Sequence, residues 1–507
     1  MPSCESVTPD RPGAEATLVP PGGVPFAQRG ESTTRGAILL SAAHASVLVS
    51  NAAVRIAAGR ALSVEWYGRL VIVLLVLTWA RSVVGSVVLP GLEKAVSEDE
   101  RRLRQGLGLA LRWYAPAVLL ATVALLLASR PLSAWLGDPL MVPLFWIAAF
   151  QVPFIGLVCA GQRLLSGMRR FMASASVKAS YACLGAVATL AFLYLGFGAR
   201  GAVFGVFVGV AAAGLLAAFL LGRENRRIPS VHYGPLARRV RYWTTVSVPT
   251  TLVFAALMTA DMWLVKGMVD DPRAAGIYGV AYSLSRLPLF MLYGLAGAVF
   301  PRVSMEVAGG RAERAGAAAT EALRFLLILF LPVCAVMAGS AREIAVFLFS
   351  SRYADSALPL LILAPGIALA ALMHMGFQFV AASDRPGTRL AALVGLLACG
   401  LGLNWLLIPR WGTAGAAAAS SATFALGAAV ALLLGRRWVP FRMPPMTLLR
   451  CGLGGGLVFA VARLWPTDGP LLLVKLALLG LLYGGVVLAS RETTVRELLG
   501  AARRVWR

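Results

Sequence analysis

Acidic residues are scarce in this chain: 23 Asp and Glu stand against 47 Lys and Arg in 507 residues. Charged residues of both signs make up 14% of the sequence, well under the roughly 25% of soluble domains. Only three histidines and six cysteines occur. Cys4, Cys159, Cys183, Cys334, Cys399 and Cys451 are scattered without a Cys-x-x-Cys pair, which argues against a disulfide framework or a cysteine metal site. There is no Gly-x-x-x-x-Gly-Lys-Ser/Thr loop and no His-Glu-x-x-His pair, so no motif calls for a nucleotide, a metal or another cofactor. Connectors between apolar runs are all about twenty residues or shorter, which leaves no room for a soluble catalytic domain.

What remains is apolar. Hydrophobic residues make up 59% of the chain, and a bilayer crossing needs about 20 of them in a row. Residues 1–35 hold six prolines and four glycines and no apolar run, so they read as a disordered polar tail without the layout of a signal peptide. Beyond it the apolar runs predict spans near 36–58, 70–92, 113–134, 139–161, 178–197, 201–222, 243–265, 276–300, 323–341, 357–381, 389–408, 412–434, 448–465 and 469–490. The expected fold is an all-α polytopic membrane protein of about fourteen transmembrane helices.

The basic excess follows the topology. With both ends inside, the tails and inward loops carry 33 Lys and Arg and the outward loops 10. That bias predicts an even helix count and cytoplasmic termini. The net charge of +24 is then an orientation signal, and no nucleic-acid partner is expected.

The chain also repeats. Tyr67-Gly68 and Pro90 bracket the second predicted span as Tyr278-Gly279 and Pro301 bracket the eighth. Gln162 and Arg169 follow the fourth as Gln378 and Arg385 follow the tenth. Gly198-x-x-Gly201-Ala202 precedes the sixth as Gly412-x-x-Gly415-Ala416 precedes the twelfth. Three ordered matches at nearly one offset predict two pseudo-symmetric six-helix bundles plus a C-terminal helix pair. The expected units are 36–225 and 240–437, joined by a cytoplasmic linker at 226–239. Residues 438–490 add the extra pair, and 491–507 form a basic cytoplasmic tail. Parallel repeats of this kind commonly enclose a site at their interface and rock about it.

Four segments carry a family resemblance. Arg60-Ala61-Leu62-Ser63-Val64-Glu65-Trp66-Tyr67-Gly68 and Leu165-Ser166-Gly167-Met168-Arg169-Arg170-Phe171 are similar to signature segments of polysaccharide transporters, the lipid-linked oligosaccharide (O-antigen-type) flippases. So are Asp261, Gly276-Ile277-Tyr278-Gly279 and Phe300-Pro301 taken together, and Asn404-x-x-Leu407-Ile408-Pro409-x-x-Gly412-x-x-Gly415-Ala416. The resemblance covers residues 36–437 and extends to the exporter superfamily that also holds multidrug antiporters and the lipid II flippase. It implies a central cavity lined by spans 1, 2, 7 and 8. It also implies transport without covalent catalysis, with a polyprenyl-diphosphate-linked oligosaccharide as cargo and polysaccharide assembly proteins as candidate partners. The extra helix pair departs from the many O-antigen flippases with twelve helices and occurs in the lipid II flippase, so the substrate subclass stays open.

Charge inside the spans marks the candidate site, since a mid-bilayer charge costs at least ~2.5–3.5 kcal/mol. Arg81 and Arg286 lie about 16 Å and 15 Å into spans 2 and 8 at 1.5 Å per residue, near the midplane. His44, Asn51 and Arg55 share one face of span 1. Guanidinium groups bind phosphate bidentately and keep their charge, so Arg81, Arg286, Arg55, Asn51 and His44 are the candidates for a diphosphate–glycan site. A plainer reading, in which these arginines pair with carboxylates or carbonyls and lock the bundles, fits the same positions. Asp261, the only carboxylate within a predicted span, is expected to pair with Arg55 or Arg286 or to hold a coupling cation. His44 and His374 could relay protons or simply pack, and Gln151, Gln378 and Asn404 could line the cavity or bond between helices. Pro288 is expected to kink span 8 beside Arg286, and Lys475 to reach the interface from span 14. One intramembrane acid against three arginines disfavours a multidrug or other cation antiporter. A glycan polymerase or ligase would need a sizeable outward loop.

Overall fold

A computed structural model describes residues 33–227, 236–383 and 385–490. The polar tail, the basic C-terminal tail and most of the linker lie outside them. The described residues are helical: α1 (Thr33–Ala61), α2 (Val64–Ser86), α3 (Leu89–Glu98), α4 (Leu103–Leu109), α5 (Ala115–Trp135), α6 (Val142–Gly167), α7 (Phe171–Tyr194) and α8 (Gly198–Arg227) in the first bundle. The second holds α9 (Leu236–Met268), α10 (Ala274–Ser285), α11 (Leu289–Ala308), α12 (Ala312–Gly339), α13 (Ala341–Phe349), α14 (Ala357–Ala382) and α15 (Pro386–Arg436), followed by α16 (Pro445–Leu464) and α17 (Leu471–Ala489).

Twelve of the helices formed by the described residues are long and apolar enough to cross a membrane. One of them, α15, is 51 residues long, about 76 Å if straight, more than twice a hydrocarbon core. It folds back at Gly412, whose φ of 54° and ψ of −130° leave the helical range. Glycine is required there because other residues rarely adopt positive φ. The two arms then pack closely: a Cβ at Gly415 would strike the Leu407 carbonyl, and Gly400 faces Thr423.

The eighth predicted span is broken. Helix α10 stops at Ser285 and α11 starts at Leu289, with Pro288 as its N-cap residue. Proline has no N–H to continue the ladder and disfavours helical geometry in the residue before it. A second break splits predicted span 2 after Ser86, with Pro90 in the first turn of the helix that follows. Val88 sits at φ 61°, a costly conformation for a β-branched side chain, and its N–H donates to Thr244 Oγ1 of α9 at 3.1 Å. The second bundle therefore holds the first in its strained turn.

The bundles meet mainly along α2, which packs on α9 and α10. Gly68 and Gly276 let two backbones approach so closely that a Cβ on Gly276 would collide with the Val64 carbonyl. Between α2, α5, α9 and α15 lies a cavity of about 660 Å³ lined by apolar residues, Val76, Trp79, Trp135, Trp263 and Leu401 among them.

The appended pair is tied to the second bundle by charge. Lys475 of α17 is fully buried, and its Nζ donates to both Glu343 oxygens of α13 at 2.9 Å. This corrects the expectation that Lys475 reaches the interface: Glu343 offers it a partner from a short helix whose position the sequence does not show. Breaking a buried pair from one side costs about 3–5 kcal/mol. Lys475→Met should therefore lower the melting temperature of the purified protein by several degrees, and Glu343→Leu added to it should restore most of the loss. Equal melting of Lys475→Met and wild type would show that the pair contributes nothing.

Candidate functional site

The structure separates arginines that the sequence placed around one cavity. Arg81 turns into the first bundle. The face of α2 carrying Val76, Trp79, Ala80 and Val83 lines the apolar cavity, and at 100° per residue Arg81 points nearly opposite. Its Nη2 donates to Gln162 Oε1 of α6 at 3.2 Å. Its guanidinium lies 4.5 Å from the centroid of the Tyr181 ring of α7. One turn before Tyr181, Lys178 donates from Nζ to His44 Nε2 of α1, while His44 Nδ1 contacts the Leu40 carbonyl at 2.8 Å. Arg81, Lys178, His44, Gln162 and Tyr181 thus come together from four helices. Among the described residues, no carboxylate lies within ion-pair distance of Arg81 or Lys178.

Lys178 is the residue that sequence reasoning missed. The predicted fifth span starts at 178, so Lys178 fell among the inward-loop cations. The helix in fact begins at Phe171, which carries Lys178 two turns inside it. The signal that could have found it is the small-residue run Ala173-Ser174-Ala175-Ser176, helix-compatible and closely packable, ahead of the hydropathy threshold.

Arg286 belongs to the second bundle. Its Nη2 donates to the Met258 carbonyl and lies 4.0 Å from Asp261 Oδ2, and its guanidinium stacks 3.6 Å from the Tyr282 ring centroid. Asp261 Oδ2 also accepts from Tyr278 Oη at 2.7 Å and Ser420 Oγ at 3.0 Å. The arrangement ties α9, α10 and α15 around one buried carboxylate. Tyr278 is therefore part of the core. Asn404 donates within its own helix to the Gly400 carbonyl at 2.8 Å, and Gln151 reaches the Val203 carbonyl of α8 at 3.3 Å. His374 meets Gln378 one turn on, 3.2 Å apart.

Arg55 bridges the bundles: its Nη1 donates to Ser283 Oγ of α10 at 2.6 Å, and Tyr67 Oη lies 3.5 Å from the same hydroxyl. Asn51 and His44 are exposed on α1. The stripe on α1 therefore divides, with His44 serving α7 and Arg55 serving α10.

At the α1–α2 end of the molecule two arginines make a reciprocal clasp. Arg60, at the end of α1, donates to the Phe347 and Leu348 carbonyls at the C-terminus of α13, at 2.5 and 2.8 Å. Arg352, just beyond α13, donates back to the Arg60 and Leu62 carbonyls at the C-terminus of α1, at 2.8 and 3.3 Å. Each cation caps a helix end of the other bundle, where orphan carbonyls carry partial negative charge. Beneath the clasp, Tyr67, Phe349 and Tyr353 stack edge to face with centroids 5.7–5.9 Å apart. Beside it, Asp138 accepts from Arg69 Nε of its own bundle at 2.7 Å and Lys266 Nζ of the other at 2.8 Å. Burial alone would raise the Asp138 carboxyl, but these two cations outweigh it and hold the group below the usual carboxylate range.

Residues 58–358 match the family described as polysaccharide biosynthesis protein. No protein of curated function matches the sequence. Among solved structures, the lipid II flippase MurJ in an inward closed conformation superposes with a TM-score of 0.66 at 13% identity, covering 90% of this chain and 99% of that one. A MOP-superfamily transporter from Pyrococcus furiosus with a binding pocket of reverse polarity gives 0.62 at 15% identity over 80% of this chain and 96% of its own. An inward-facing multidrug-resistance MATE transporter gives 0.60 at 15% identity, with 82% and 96% covered. The family match spans more than half the chain, from the end of α1 to the start of α14, and the solved structures share its helical architecture over most of the rest; the chain is a multi-pass membrane protein of the polysaccharide biosynthesis protein family, built on the fold of the MOP-superfamily transporters.

Proposed function

We propose that this protein is a flippase. It carries an isoprenoid-diphosphate-linked oligosaccharide from the cytoplasmic to the outer leaflet of the bacterial inner membrane by alternating access, for cell-surface polysaccharide export. Both termini face the cytoplasm. The observation that carries this reading is the cationic cluster of Arg81 and Lys178, held by neutral partners inside the first bundle. Two adjacent intramembrane cations without a paired acid are costly unless an anion visits them, and a diphosphate supplies that anion with several acceptor oxygens for charge-assisted hydrogen bonds. The large cavity between α2, α5, α9 and α15 is lined by apolar side chains and suits no diphosphate.

Arg55 and Asn51 extend the polar surface along α1 toward the clasp. Asp261 neutralises Arg286 and fixes α10 against α15, so the second bundle contributes structure here and the first contributes charge. A cation antiporter would need accessible carboxylates, and Asp261 is 3% exposed and hydrogen-bonded. Export needs no ATP: each negative charge moved outward gains ~2.3 kcal/mol per 100 mV of inside-negative potential.

A second reading, a lipid II-like substrate, is favoured by the likeness to MurJ over 90% of this chain and 99% of that one. Both cargoes present a diphosphate, so the cluster serves either. Deleting the protein and fractionating the lipid-linked sugars decides between them: an accumulated oligosaccharide on the cytoplasmic leaflet supports the first, and accumulated lipid II the second. Accumulation of neither sinks the flippase assignment.

A further inference from the structure

The His44–Lys178 contact holds fewer protons than its two side chains can carry. A backbone carbonyl only accepts, so His44 Nδ1, 2.8 Å from the Leu40 carbonyl, carries the ring hydrogen. An ammonium only donates, so Nε2 facing Lys178 Nζ presents its lone pair. The imidazole is therefore neutral beside a lysine. If the bridging proton is placed on the ring instead, the lysine is the neutral partner and the count is the same.

The surroundings explain why the pair stops there. Arg81 faces it from α2, stacked on Tyr181 of the same helix as Lys178. From α6 come neutral Gln162, which accepts from Arg81, and Arg163, which is engaged with Glu93 at 2.6 Å. The nearest acid of α8 with a partner here, Glu224, is bound to Arg170 at the start of α7, 3.3 Å away. On α1 the other titratable groups are Arg35, Arg55 and Arg60, none of them acidic, and the last two are committed to the second bundle. Among the described residues nothing acidic offsets Arg81 and Lys178, and a third positive charge on His44 would be repelled by both.

We infer that anion binding in this cluster is linked to proton uptake by His44. The inference rests on the reading of the cluster as the diphosphate site. A phosphate oxygen entering beside Arg81 takes over the Lys178 donors, and the Lys178–His44 hydrogen bond breaks. The anion cancels the repulsion that kept the ring neutral, and Nε2 takes a proton from water, giving an imidazolium that adds one more donor to the bound phosphate. No covalent bond to carbon or phosphorus changes; one proton moves from solvent to one nitrogen. His44 is exposed on α1, and water that enters with the anion supplies the proton.

Calorimetry on the full chain in phosphatidylcholine nanodiscs, with farnesyl diphosphate as the probe, tests this. The binding heat is measured near neutral pH in two buffers of different ionisation enthalpy. The wild type should show uptake approaching about one proton per diphosphate beyond that of His44→Gln. Lys178→Gln should bind about tenfold more weakly, as expected for one lost charge-assisted hydrogen bond, and lose the same uptake. A measurement on the wild type alone stands behind the variants: affinity should fall toward tenfold per pH unit as pH rises through the range in which bound His44 is protonated and free His44 is neutral, and level off above it. Saturable binding with equal proton uptake in wild type and His44→Gln overturns the linkage and leaves the anion site standing. Absence of saturable binding in the wild type overturns both.

Discussion

Export of lipid-linked glycan should fall about 10- to 100-fold in Arg81→Gln while the protein's abundance and melting temperature stay near wild type. Arg81 gives its donors to Gln162 and its face to Tyr181, both neutral. Removing the charge therefore breaks no ion pair and relieves repulsion with Lys178. The transported anion, in contrast, loses charge-assisted hydrogen bonds worth about 1.5–3 kcal/mol each, which sets the fold-change. Arg286→Gln should behave in the opposite way. It strips a cation from beside Asp261, a carboxylate that Tyr278 and Ser420 hold buried, and so costs stability of about 3 kcal/mol before it costs transport. Surface glycan, membrane protein level and thermal melting of the two variants are the measurements. If both variants lose transport at unchanged stability, the division of labour between the bundles is wrong.

The second large effect concerns the clasp. The double variant Arg60→Ala, Arg352→Ala removes four hydrogen bonds between the bundles. All four are solvent-exposed or nearly so, and at about 0.5–1 kcal/mol each they total about 2–4 kcal/mol. That amount shifts a two-state equilibrium by roughly 30- to 1,000-fold. A cysteine at Ser283, which lies below the clasp between Arg55 and Tyr67, reports the shift. In a cysteine-free background, Ser283→Cys should react slowly with a membrane-impermeant maleimide and at least about tenfold faster in the double variant. Asp138→Asn should add to the rate, since Lys266 then loses its charged partner across the interface. Each single arginine variant keeps two of the four bonds and should fall between the extremes. A labelling rate unmoved by the double change means that the Tyr67, Phe349 and Tyr353 rings hold this end closed without the arginines.

Much of the fold was legible because hydropathy is local. A span must be apolar over about 20 consecutive residues whatever its neighbours are, so twelve of the fourteen predicted spans match single helices or helix arms, with ends displaced by up to eleven residues. The break at Pro288 was legible for the same reason, as proline acts on its own turn. The break at Val88 was not: its positive φ is held by Thr244, 156 positions away. Lys178 was lost through a boundary error of seven residues, which turned a cation two turns inside a helix into a loop cation. Lys475 was misplaced because its partner Glu343 lies in a helix too short to show as a span.

The amino-acid order alone determined that this chain crosses a membrane many times, repeats itself, belongs with the polysaccharide transporters and carries arginines within its apolar runs. Each of these is a property of a residue and its sequence neighbours. Only the tertiary structure decided which charges are paired. Whether Arg286 or Arg81 keeps its charge unopposed depends on which distant side chain packs within 4 Å, Asp261 for one and Gln162 for the other. Electrostatic cost falls steeply with that distance in a medium of low dielectric, and helix packing sets it.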